Sequence, residues 1–103
     1  MAKILRPLVC MLAAVVPITS AIAADADNGG RLAHRWCSAC HVVDANQRRP
    51  TGEAPPFAVI AGSPGFNVAR LAFFLLDPHP KMPDLSLSRA EAGDLAAYIG
   101  SLK

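Results

Sequence analysis

Residues 25–41 read DADNGGRLAHRWCSACH, and this stretch decides the fold. Its first part is a short helix signal, with Asp25 or Asp27 placed to cap a helix over about Ala26–Trp36. Gly29 and Gly30 weaken that helix and need a packing reason to be there. Its last part, Cys37-Ser38-Ala39-Cys40-His41, is the pentapeptide C-x-x-C-H. Two thiols at this spacing reach the two vinyl groups on one edge of a porphyrin and form thioethers. The histidine directly after the second cysteine is then held under the iron. The motif therefore reads as a c-type haem attachment site, with Cys37 and Cys40 covalent and His41 proximal to the metal.

Three other readings compete for the same residues. A zinc site needs two further ligands at usable spacing, and beyond Cys37 and Cys40 the chain offers only His34, His41 and His79. A thioredoxin-like pair needs a βαβ pattern that the chain lacks. A plain Cys37–Cys40 disulfide leaves His41 without a role.

Upstream of this stretch lies a secretory leader. Lys3 and Arg6 form a basic n-region, and Leu8 to Val16 is an unbroken apolar run between Pro7 and Pro17. Ala21-Ile22-Ala23 supplies the small-x-small cleavage pattern before Asp25 begins polar sequence. The apolar run spans about 13 Å as a helix, far short of the roughly 30 Å of a hydrocarbon core. The expected division is therefore a cleaved signal peptide over 1–23 and a single domain over 24–103. No stable membrane insertion is expected once the leader is gone. Cys10 sits inside the apolar run and is not placed as a lipid-attachment site.

Cleavage changes the inventory. Of the 103 residues, ten are Lys or Arg and eight are Asp or Glu. Lys3 and Arg6 leave with the leader, so the mature domain is formally neutral and gives no sign of a nucleic-acid partner. Cys10 also leaves, so Cys37 and Cys40 remain in an oxidising compartment. Met82 becomes the sole methionine. A domain of about 80 residues buries only roughly 60% of its unfolded surface, so a staple such as a cofactor is expected.

Downstream, two further helices are predicted, with no hairpin signal and no strand-like alternation. Residues 41–62 read as a loop punctuated by Pro50, Gly52, Pro55, Pro56 and Gly62. Ser63 as N-cap and Pro64 as first residue open the second helix, which runs to about Leu76 before Pro78. Ser88-Arg89-Ala90-Glu91 is a capping box for the third, which runs to about Ser101. Along it Ala92, Leu95, Ile99 and Leu102 recur at helical spacing, with Tyr98 beside them. The class is all-α with long ordered loops.

Met82 lies in Pro80-Lys81-Met82-Pro83, a proline-flanked loop rather than an apolar helix face. Such a loop can hold a thioether rigidly against iron, which favours the reduced metal and raises the potential. Met82 is therefore the expected sixth ligand. His79 is its rival, and its place between two prolines favours a structural or solvent-edge role. His34, ahead of the motif, reads as a solvated surface histidine.

Three separated features now resemble the class I c-type cytochromes of the small bacterial periplasmic type. They are C-x-x-C-H after a short N-terminal helix, a single Met-Pro about forty residues later, and Leu95-Ala96-Ala97-Tyr98 in the C-terminal helix. The resemblance covers residues 25–103. It implies a small cytochrome c fold of three to four helices around one covalently bound haem c, with the N- and C-terminal helices crossed at a glycine. Gly29 or Gly30 would be that glycine, facing Leu95 and Tyr98. It also implies a proline carbonyl on the N–H of His41, from Pro55 or Pro56. Phe57, Val59, Ile60, Phe66, Leu71, Phe74 and Leu75 are expected to wall the haem.

The expected function is a periplasmic one-electron carrier, a monomer or a partner in transient complexes, that exchanges electrons with a redox donor and acceptor. With both axial positions filled no substrate reaches the iron, so no enzymatic activity is expected. Arg31, Arg35, Arg48 and Arg49 flank the motif against Asp25, Asp27 and Asp44 and can steer an acidic partner. The alternatives are a sensor in which a small ligand displaces Met82, and a dedicated electron-transfer subunit of a dehydrogenase or oxidase.

Overall fold

The computed structural model describes residues 13–18, 23–47, 54–78 and 81–103. Four helices follow one another: α1 (Ala26–Trp36), α2 (Phe57–Ala61), α3 (Val68–Leu76) and α4 (Arg89–Gly100). Among the described residues there is no strand, and the all-α expectation holds.

The two terminal helices cross and form the larger packing unit. The Asp25 carboxylate caps α1 by accepting the Asn28 N–H at 3.0 Å. Asp94 of α4 then ties the start of α1 down. It accepts the Asp25 N–H at 2.7 Å on one oxygen and the Asn28 side-chain amide at 2.8 Å on the other. Gly29 is where the backbones touch. A Cβ there would overlap the Asp94 carbonyl oxygen and lie 2.8 Å from Tyr98 Cβ. At Gly30 a Cβ would meet only the Tyr98 ring, at 3.2 Å. Gly29 is therefore the crossing glycine, which is the packing reason its weak helix propensity required.

α4 begins with the complete capping box. Ser88 Oγ accepts the Glu91 N–H at 3.0 Å, and Glu91 Oε1 accepts the Ser88 N–H at 2.9 Å. Ala92, Leu95, Ala96 and Ile99 form its buried face. They meet Leu32 and Ala33 of α1 and continue into Phe57, Ala61 and Leu75 of the middle helices. Tyr98 reaches across and donates its hydroxyl proton to the Val43 carbonyl at 2.7 Å.

The middle of the chain departs from the sequence expectation in two places. The 41–62 segment is not all loop, because Phe57–Ala61 forms α2. Pro56 precedes that helix at φ −57°, already close to helical φ, and Phe57 N–H donates to the Val42 carbonyl at 2.9 Å. The next helix begins at Val68, not at Pro64. Asn67 is its cap, accepting the Arg70 N–H at 2.9 Å. Ser63–Phe66 is instead a β-turn, closed by Phe66 N–H on the Ser63 carbonyl at 3.1 Å. Pro64 occupies its second position and Gly65, at φ +75°, its third, as a type II turn demands.

Of the segment expected to be a leader, Val15, Val16 and Ile18 are largely exposed and take no part in the core. Lys3, Arg6, Cys10, Ala21 and Ile22 lie outside the described residues. Among the described residues no helix is long and apolar enough to cross a membrane.

Candidate haem site

The end of α1 runs directly into the attachment turn. Cys37 and Ser38 both donate their N–H to the Ala33 carbonyl, and His41 and Cys40 both donate to the Cys37 carbonyl. This tight winding brings Cys37, Cys40 and His41 to one cavity of about 590 Å³. That volume lies within the range of small-molecule and cofactor sites. Both sulfurs are free, with Cys37 buried and Cys40 exposed. Burial pushes the Cys37 thiol up to about 11, and the nearby Cys40 adds to the effect. The bare chain therefore holds Cys37 as a protonated thiol at neutral pH.

His41 is oriented from outside the cavity. Its Nδ1 lies 2.6 Å from the Pro55 carbonyl oxygen, so Nδ1 carries the proton and donates it. The Nε2 lone pair is left for another partner. The Phe57 ring lies against the imidazole, with centroids 5.0 Å apart. Between the two prolines, the contact is made by Pro55. Pro56 has different work, since its carbonyl accepts the N–H groups of Val59 and Ile60 in the first turn of α2.

Met82 lines the same cavity, half-buried and packed against the core. Lys81, Pro83 and Leu85 from its loop line it as well. His79, Arg48 and Arg49 lie outside the described residues.

Of the expected walls, Phe57, Ile60, Leu71, Phe74 and Leu75 line the cavity, whereas Val59 and Phe66 do not. Val59 faces outward from α2 and is 59% exposed. Phe66 lies instead beside the end of α4, where a Cβ on Gly100 would meet it at 3.4 Å and Lys103 Nζ sits 5.1 Å from its ring centre. Trp36, Leu95 and Ile99 complete the lining without having been expected there. The helical period of α4 had marked Leu95 and Ile99 as core, and they serve the crossing and the cavity at once. Trp36 carried only its position before Cys37 as a signal.

His34 is not simply solvated. Its Nε2 lies 2.7 Å from Asp44 Oδ2, so it bridges α1 to the loop after His41. Among the described residues no three His, Cys, Asp or Glu side chains cluster to hold a metal by themselves. What the site offers is an apolar slot with two thiols, an imidazole whose outer nitrogen is already engaged, and a thioether. This donor set fits a haem tethered by two thioethers.

The chain belongs to the class I c-type cytochromes. It is 54% identical over 99 residues to cytochrome c-552 of Bradyrhizobium diazoefficiens, a match that spans 96% of this chain and 95% of that protein. No family model and no solved structure matches the chain.

Proposed function

We propose that the chain is an exported one-electron carrier whose haem c is tethered by Cys37 and Cys40 and ligated by His41 and Met82. The observation that carries this reading is the convergence of all four side chains on a single apolar cavity. The haem, when bound, supplies a one-electron ferric–ferrous couple.

The chain's own residues set the terms of that couple. The Pro55 carbonyl, accepting the His41 Nδ1 proton, fixes the ring and makes its other nitrogen a stronger donor, which favours the oxidised metal. The Met82 thioether works in the opposite direction and raises the potential. Phe57, Ile60, Leu71, Phe74 and Leu75 exclude water from the slot. Two protein ligands leave no open position for a substrate, so the domain carries electrons and does not catalyse. Exposed Cys40 and half-exposed Trp36 mark the rim through which electrons pass to a redox partner. The basic n-region, the apolar run Leu8 to Val16 and Ala21-Ile22-Ala23 support cleavage of residues 1–23 and a periplasmic location.

The test is to express the full precursor in a host with haem-maturation machinery. Mass spectrometry of the exported protein is expected to give the chain from residue 24 plus one haem. Potentiometry is expected to give a single one-electron wave. A ferrous form that binds carbon monoxide in the resting protein would move the reading to a sensor. A mass without haem would overturn it.

A further inference from the structure

We infer that Gln47 is a positioning residue for His41, acting as a side-chain clamp that holds the attachment turn closed. The inference rests on His41 being the axial ligand. Segment 41–47 has no regular secondary structure, yet several of its peptide groups are paired, those of His41 and Val43 on both sides. A single side chain makes two of those pairings and a third to Ser38 in the preceding turn. Gln47 Nε2 donates to the His41 carbonyl at 2.8 Å and to the Ser38 carbonyl at 2.9 Å. Gln47 Oε1 accepts the Val43 N–H at 2.9 Å. The amide thus uses both of its donors and its acceptor, which only an Asn or Gln can provide in this arrangement.

The clamp is itself held. Asp44 Oδ1 accepts the N–H groups of Asn46 and Gln47 at 2.8 and 2.9 Å, and Asp44 Oδ2 is engaged by His34. On the other side the Val43 carbonyl takes the Tyr98 proton, and the Val42 carbonyl takes that of Phe57. The last of these joins the turn to α2, directly beside Pro55. Gln47 therefore fixes one end of the path between the His41 backbone and the Pro55 oxygen that its ring must reach. Removing the clamp frees the His41 peptide and weakens the Nδ1–H bond to Pro55. The ring becomes a poorer donor and the oxidised metal is less favoured.

The experiment compares wild type with Gln47→Met, which keeps length without hydrogen bonding, and Gln47→Glu, which keeps the acceptor alone. Asn46→Ala is the control for general loosening of the loop. Three quantities are read on exported holoprotein: the thermal midpoint, the reduction potential, and the exchange rate of the His41 ring N–H by NMR. Both Gln47 variants are expected to raise the potential and to speed ring N–H exchange about tenfold relative to Asn46→Ala. A lowered thermal midpoint with potential and ring exchange unchanged makes Gln47 an ordinary structural residue and overturns the inference. If a variant fails to mature, a lower ratio of attached haem to chain in Gln47→Met than in Asn46→Ala supports the clamp, and an equal ratio overturns it. A wild-type protein with no histidine-ligated haem signature defeats the ligation reading instead, so the two failures are distinguishable.

Discussion

The two halves of this small domain are built on different terms. The crossing of α1 and α4 closes on itself. Gly29 lets the backbones meet, Asp94 binds the start of α1, and Ala33, Ala92 and Ala96 fill the seam completely. The half formed by α2, α3 and the Met82 loop instead closes, against Trp36, Leu95 and Ile99 of the crossing helices, a cavity of about 590 Å³. Its side chains are as apolar as those of the crossing, but Phe57, Ile60, Leu71, Phe74 and Leu75 also line the slot. The first half is completed by the chain, the second by its cofactor. An apolar cavity this large forfeits the contacts its lining would otherwise make, and ligand binding restores them.

The sharpest way to break the comparison is to prevent attachment. In a Cys37→Ala/Cys40→Ala double variant, amide exchange is expected to rise throughout, and about tenfold more in α3 and the Met82 loop than in α4. Equal rises in both halves would show that the crossing depends on the haem as much as the slot does. The next largest effect belongs to the crossing. Gly29→Ala is expected to cost about 3 kcal/mol in urea unfolding, because the new methyl would meet backbone that cannot yield. Gly30→Ala, opposed only by the Tyr98 ring, is expected to change stability by less than about 1 kcal/mol. Similar costs at the two glycines would refute the assignment of the contact point.

Tyr98 ties the crossing to the loop after His41, and its effect is smaller. Tyr98→Phe strips the buried Val43 carbonyl of its donor and is expected to cost about 1.5 kcal/mol. Burial, with the Asp44 charge adding to it, raises the Tyr98 phenol above its ordinary value of 10.0. The folded state therefore favours the neutral phenol. That stabilisation is complete below pH 10 and is lost as pH rises through the higher folded value. Urea midpoints measured between pH 8 and 11 should fall for wild type at the alkaline end and fall less for Tyr98→Phe. Parallel curves would exclude the phenol as the cause. The smallest effect is at the exposed capping box, where Ser88→Ala should lower stability by about 1 kcal/mol with no change at the cavity, read by thermal melting and the haem spectrum together.

The crossing was also the more legible half. Its helices carry their own punctuation: Asp25 and Ser88 start them, and the contacts they make are local or periodic. The slot half was misread where one signal serves two structures. Ser63-Pro64-Gly65 satisfies the opening of a helix, but Gly65 at positive φ makes it a turn, and Asn67 does the capping. α2 has five residues, too few for a hydrophobic period to show, and it is held by Val42 across a segment with no pattern of its own. At the site, the C-x-x-C-H spacing and the isolated Met82 pointed to residues that the structure brings to one cavity. The choice of Pro55 over Pro56 turned on which carbonyl α2 consumes. Gln47 and the His34–Asp44 pair left no trace, because side-chain clamps on irregular loops have no period and no composition.

The central claim is that His41 and Met82 meet one metal across the slot. The most direct measurement is the absorption spectrum of the exported ferric protein, wild type against Met82→Ala. A low-spin spectrum with the weak far-red band of sulfur ligation, present in wild type and lost in Met82→Ala, is the predicted result. A wild-type spectrum without that band, unchanged by Met82→Ala, would contradict it.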